Sequence, residues 1–370
     1  MISNTFENSP VPEFPRLCPA RPGASLLLYK ATPDDFLVEE IPMYEPSGTG
    51  THTWIWIEKR GMTTHAAARS LAQRLHKNSA DAGIAGLKDA QAVTRQWITF
   101  ENVTQSPDEI VGFSDDKLKV LALSRHANKL RMGHLRGNRF VIRINAAESA
   151  ETQARDLLTR AQEVLAILQQ RGIPNYFGEQ RFGNQGTNAA MGRLLVMGDT
   201  TGFDTAMAAA GQARQARDRK MRNLLVNAFQ SELFNRVLAA RLPDIGTILP
   251  GDLASLHRNG AVFKVATEDD ARTEQPRADA HEISPSGPIF GPKMAQPEGK
   301  PGELEARVLN DAGVALADFG RKEAERQPGA RRPLRIFFLD EPEARADGDS
   351  VLLRFTLPSG SYATVVLNEL

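Results

Sequence analysis

The first residues with the means to do chemistry are Lys88-Asp89, inside the stretch Gly86-Leu87-Lys88-Asp89-Ala90-Gln91-Ala92-Val93-Thr94-Arg95-Gln96-Trp97. An Ala/Gly-rich run, Ala82 to Gly86, leads in, and a polar-apolar run, Val93 to Phe100, leads out. Small residues let the backbone approach a partner closely. A single carboxylate on the turn between them would stand on a loop held by a rigid scaffold, where chemistry is commonly carried. An Asp in a turn more often just bonds its own backbone, so the stretch needs support from elsewhere.

Lys117 to Arg143 holds eight Lys or Arg plus His126 and His134, with no Asp or Glu. Its cations alternate with glycine and apolar residues, which suits a surface that tracks a nucleic-acid backbone, although a charge run is also what a solvated face looks like. A second cluster (Arg214, Arg217, Arg219, Lys220, Arg222) and a third (Arg331, Arg332, Arg335) would extend the track. Phe140 follows Gly137-Asn138-Arg139 at the start of a strand. A Phe there is usually core, but beside a basic rim it can stack an unpaired base, and Asn138 can bond a base edge. Other chemistries lack their residues. The seven histidines include no i,i+4 pair, and no P-loop, G-x-G-x-x-G or G-x-S-x-G occurs. Cofactor-free work by a carboxylate remains.

The elements that must position these groups follow from pattern. Strands are expected after the turn at Lys30 to Asp35, through Phe36 to Ile41, over His52 to Lys59, from Lys117 to Leu123 and from Arg139 to Ile144. Helices are expected from Thr63-Thr64 through Leu75, over Glu151 to Gln170, Asn188 to Met197, Asn223 to Arg241 and Glu303 to Phe319. Thr267 to Glu282 reads as an acidic loop, and the Pro- and Gly-dense Ser284 to Gly302 as irregular. Two strands, Leu334 to Leu339 and Val351 to Leu357, follow.

The chain's 370 residues, 24% charged and 41% hydrophobic, predict two globular domains. Net charge is zero, so a polyanion must be met by a local patch. One cysteine, Cys18, excludes an internal disulfide framework, and no apolar run approaches membrane-spanning length, so a cytoplasmic protein is expected. Texture shifts at Gly172 and returns near the last strands, which suggests one domain inserted into another: a flexible tail at 1–24, one domain at 25–171 and 331–370, and an insert at 172–330.

The chain resembles the TruD family of tRNA pseudouridine synthases from about Leu28 to Leu370. The motifs that carry the likeness are Ala85 to Trp97, Arg136-Gly137-Asn138-Arg139-Phe140, Pro174 to Gly183, Gly287-Pro288-Ile289-Phe290-Gly291, and Leu357 to Thr364. The resemblance implies an α+β fold: a pseudouridine synthase catalytic domain with a mixed, largely antiparallel sheet flanked by helices, interrupted by an inserted α/β TRUD domain. It implies Asp89 as the catalytic aspartate, with Phe140 stacking the base and Asn138 beside it. Lys30, Phe36, Lys88 and Arg136 complete the expected substrate-binding set, Lys30 or Lys88 being the cation that keeps Asp89 ionised. The expected substrate is the uridine at position thirteen of certain tRNAs, with no cofactor, no metal, no membrane, and the chain acting as a monomer. A non-catalytic RNA-binding module, a nucleobase glycosylase and a metal-dependent RNA enzyme are the competing readings.

Overall fold

The computed structural model describes residues 14–19, 27–146, 151–183 and 186–370. The expected tail at 1–24 lies outside the described residues except for 14–19, where Leu17 and Cys18 are buried. By compactness the chain divides into two units, one of 21–170, 337–363 and 370, the other of 1–20, 171–336 and 364–369.

The first unit is built on one sheet. Its elements run β1 (Leu27–Tyr29), β2 (Phe36–Pro42), β3 (His52–Arg60), α1 (Thr64–Arg74), β4 (Gly83–Ile84), β5 (Val93–Glu101), α2 (Pro107–Val111), β6 (Leu118–His126), β7 (Leu135–Ala146) and α3 (Glu151–Arg171). Strands Glu343–Asp347 and Ser350–Pro358 complete it. The order is Glu343–Asp347, Ser350–Pro358, β7, β2, β5, β3, β6, with β1 also on β7 and β4 on β5. Every pairing is antiparallel except β2 with β5. The sheet is thus mixed and largely antiparallel, in an α+β fold.

Strand residues alternate between the two faces, and residues opposite one another share a face. Phe140 on β7 stands opposite Val38 on β2 and Phe355 on the other side; Val38 is opposite Thr94, and Thr94 opposite Lys59. The next row on that face is Leu357, Asn138, Glu40, Gln96 and Ile57. Helix α1, capped by the Thr63 hydroxyl accepting from the Ala66 N–H, lays Ala67, Ala68, Leu71 and Ala72 against Ile55, Ile57, Ile98 and Phe100. The reverse face carries a charged ladder: Glu58 to Arg95 at 2.9 Å, Arg95 to Glu39 at 3.5 Å, and Glu39 to Arg139 at 2.8 Å. Arg143 pairs with Asp347 at 2.8 Å. Part of the basic run therefore serves the sheet itself.

The second unit packs helices α4 (Thr187–Met197), α5 (Thr200–Ala209), α6 (Arg219–Arg241) and α8 (Gly299–Asp311) around Leu195, Phe203, Phe229, Phe290 and Phe319. A four-stranded sheet orders Val262–Lys264, Leu253–Leu256, Ile283–Ile289 and Ala330–Pro333. Helix α7 (Glu268–Asp279) occupies the stretch expected as an acidic loop. Its Thr267/Asp270 capping box starts the helix, and its buried residues are only Ala271 and Ala278, too small to write a periodic signal. The Pro-dense stretch expected to be irregular contains the strand Ile283–Ile289. Its first half pairs with Leu253–Leu256 and its second half with Ala330–Pro333. The helix expected over 303–319 stops at Asp311, and Gly313 turns the chain with φ +67°. The last helix, α9, is Ala363–Asn368.

Candidate active site

Strand β4 is two residues long, and the chain crosses to β5 through the loop that carries Asp89. Buried bonds fix that loop from the inside. The Lys88 ammonium meets the Glu40 carboxylate at 2.9 Å with both side chains almost fully buried. The Lys88 N–H donates to the Thr64 hydroxyl, that hydroxyl donates to the Gln96 Oε1, and the Gln96 amide donates to the Gly86 carbonyl. Burial pushes the Glu40 carboxyl above the usual range against the pull of Lys88. Lys59, fully buried at the end of β3, donates to the Asp89 carbonyl at 2.8 Å and the Met62 carbonyl at 2.7 Å. Burial draws its ammonium down to about 8.

With its backbone held, the Asp89 carboxylate turns outward and is 33% exposed. Lys30 donates to its Oδ2 at 2.6 Å, and the Gln91 N–H donates to Oδ1 at 3.0 Å. Burial raises the carboxyl's proton affinity, but the Lys30 bond, the Gln91 N–H and the charges of Lys30 and Lys59 outweigh it, leaving Asp89 below the usual carboxylate range. Lys30 takes a left-handed backbone, φ 61°, which costs a non-glycine residue energy and persists where neighbouring contacts impose it. Its ammonium also sits 4.1 Å over the Phe36 ring. Phe36 meets Phe140 edge to face at 6.2 Å, and Phe140 meets Phe355 at 5.6 Å. A charged carboxylate, a fixed cation and an apolar floor of three rings thus share one end of the sheet.

Residues 22–216 and 205–370 match the family model described as tRNA pseudouridine synthase D (TruD). Among named relatives, tRNA pseudouridine synthase D of Geobacter metallireducens is 41% identical over 92% of this chain and 93% of its own length. That of Anaeromyxobacter dehalogenans is 44% identical over 94% of both chains. The chain belongs to the tRNA pseudouridine synthase D family. A crystal structure from Methanosarcina mazei, provisionally named as the same enzyme, superposes with a TM-score of 0.74 at 23% identity over 96% of this chain and 94% of the other, and shares the fold.

Of the residues singled out in this TruD-family sequence, the structure brings Asp89, Lys30, Phe36 and Phe140 into one connected set. Asn138 lies on the same face one row away, and its Oδ1 is a buried acceptor without a partner among the described residues. Phe140 is only 6% exposed, wedged between two other rings. Lys88 points into the protein toward Glu40. Arg136 is exposed beside the edge of this floor, at the start of β7. The third basic cluster is structural: Arg331 is buried on Glu305 at 2.8 Å, Arg332 lies 4.3 Å over Phe177, and Arg335 donates to Ser284 and the Arg171 carbonyl. In the second cluster, Arg219 and Arg222 share Glu325. Sequence reading did not pick out Glu40, Lys59, Thr64 or Gln96. Their signal was a polar residue at an inward position of an otherwise apolar strand or helix face.

Among the described residues no three His, Cys, Asp or Glu side chains gather as a metal-binding group, and no helix is long and apolar enough to cross a membrane.

Proposed function

We propose that this protein isomerises uridine to pseudouridine in tRNA, at position thirteen, with Asp89 as its catalytic residue, and that the unit containing Asp89 is the catalytic domain into which the other is inserted. The observation that carries this reading is the family match along residues 22–370. The geometry of Asp89 supports its mechanistic part.

The reaction breaks the N1–C1′ bond, turns the uracil, joins C5 to C1′, releases the C5 proton and returns a proton to N1. Uracil leaves as a stabilised anion and stays bound, so one carboxylate suffices where glycoside hydrolysis uses two. Asp89 does this work either by attacking C1′ or by removing the 2′ proton from a sugar with cationic character at C1′. Both routes need the ionised form at neutral pH, which Lys30 and the Gln91 N–H favour. Each carboxylate oxygen already accepts one hydrogen bond and keeps a lone pair for the sugar. The base must leave its stack to reach the carboxylate, at a cost of a few kcal/mol. Phe36 and Phe140 supply an apolar floor for it, and the orphan Asn138 Oδ1 is an acceptor for a uracil N–H or a ribose hydroxyl.

The test uses tRNA carrying tritium at uracil C5. The wild-type protein is expected to release tritium and leave pseudouridine at position thirteen. Asp89→Asn should release it at least about a thousandfold more slowly while binding tRNA as before. Undiminished release by that variant, or liberation of free uracil, contradicts the reading.

A further inference from the structure

Three large apolar side chains, the first of them two residues from Asp89, are set out in water: Leu87 is 60% exposed, Met132 63% and Met43 58%. They come from three separate segments whose backbones are joined. The Gly133 N–H donates to the Ala85 carbonyl at 2.9 Å, and the Met43 N–H donates to the His134 carbonyl at 3.3 Å. Leu87 is therefore two residues from the bonded Ala85 on one side and two from Asp89 on the other, while Met132 stands next to the bonded Gly133 and Met43 is itself bonded to His134. Beneath them Leu135, Ala85, Leu130, Trp54 and Trp97 form a small buried cluster that makes the platform rigid. Apolar side chains gathered on the surface around one point are a mark of a binding surface.

The surroundings indicate what binds. Arg131 and Arg136 flank Met132 on its segment, are exposed, and have no carboxylate partner among the described residues. No Asp or Glu occurs from Lys117 to Arg143. Apolar side chains rimmed by unneutralised arginines match a nucleic acid whose bases have been unstacked: the cations take phosphates and the apolar tips take base faces. We infer that Leu87 and Met132, with Met43 behind them, form a wedge that packs against the bases neighbouring the target uridine and fills the space it leaves on swinging out to Asp89. This rests on the proposed activity and adds to it a device for holding the extruded state.

The test is a single-turnover comparison on two RNAs, one ordinary and one with abasic nucleotides on both sides of the target uridine, which removes the stack to be replaced. The Leu87→Ser/Met132→Ser variant should be roughly tenfold slower than wild type on the ordinary RNA and equal to it on the abasic one. Leu87→Met, which keeps the apolar tip, should retain the wild-type rate. All three side chains are exposed, and matching thermal unfolding curves confirm that the variants are folded. Wild-type rates for the double variant on both RNAs overturn the wedge, and so does an equal loss on both. If wild type itself forms no pseudouridine on either RNA, the parent activity fails and the wedge falls with it, a result distinct from the other two.

Discussion

The charge on Asp89 is set by a neighbour 59 residues away in sequence, and this is where pH dependence should be read. The carboxyl lies below its usual range, so the acid limb of activity should lie below that of an ordinary aspartate. In Lys30→Met the largest stabilising contact is gone while partial burial remains, so the limb should move upward; single-turnover rates against pH measure it, and an unmoved limb would show that Lys30 does not hold the charge. Lys59 gives a second test of opposite sign. Its ammonium is held at about 8 in the folded protein against about 10.5 unfolded, so between those values the unfolded state binds more protons and stability rises with pH. Wild type should gain up to about 1.4 kcal/mol per pH unit in that window relative to Lys59→Met, measured by denaturant unfolding. Asp89 could be singled out in the sequence because it is an isolated acid among small residues. Lys59 could not, since in Ile57-Glu58-Lys59-Arg60 it looks like any strand-end cation, and only the sheet's register reveals that it turns inward.

Between residue and domain, the loop bearing Asp89 depends on a buried ion pair and the sheet beneath it on one close contact. Lys88→Met leaves the Glu40 carboxylate buried without its cation and should destabilise the protein by about 3–5 kcal/mol, whereas Lys88→Met with Glu40→Gln should recover much of that loss; thermal unfolding of both variants measures the difference. Gly137 lies where β7 runs against Ser350–Pro358, and a Cβ there would stand 2.3 Å from the Leu357 carbonyl oxygen. Gly137→Ala should cost roughly 1–3 kcal/mol and slow turnover, because parting those strands shifts Asn138 and Phe140. In this sheet β2, β3, β6, β7 and Ser350–Pro358 were readable from their pattern, β7 most plainly, with Phe140, Ile142 and Ile144 on one face and Arg139 and Arg143 on the other. Helix α7 and the strand Ile283–Ile289 were not. One buries only alanines, and the other is written in Ser, Pro and Gly so that Phe234 can lie against Gly287. In both cases tertiary packing, absent from any local window, decides the element.

On the scale of the whole molecule, a chain with no net charge must bind tRNA through a patch. The basic run announced that patch but not which of its members are available. Arg139 and Arg143 are taken by acids of the sheet, while Arg131 and Arg136 are free of them among the described residues. Arg131→Ala/Arg136→Ala should lower the slope of log affinity against log salt by about two if both contact phosphate, as titrations over a range of potassium chloride would show; Arg143→Ala should leave the slope unchanged. Two units were suggested by the shift in texture at Gly172, yet the clusters at 331–335 read as surface when they are interior cement. The way the large sheet is completed has a further consequence. One flank of β7 is covered by Ser350–Pro358, a strand synthesised roughly 200 residues later. While the ribosome works through that interval, the nascent protein carries an open hydrogen-bonding edge and the uncovered Phe140 ring. Its birth is thus its most adhesive period, and a stalled or truncated message should yield aggregates rather than a half-active enzyme.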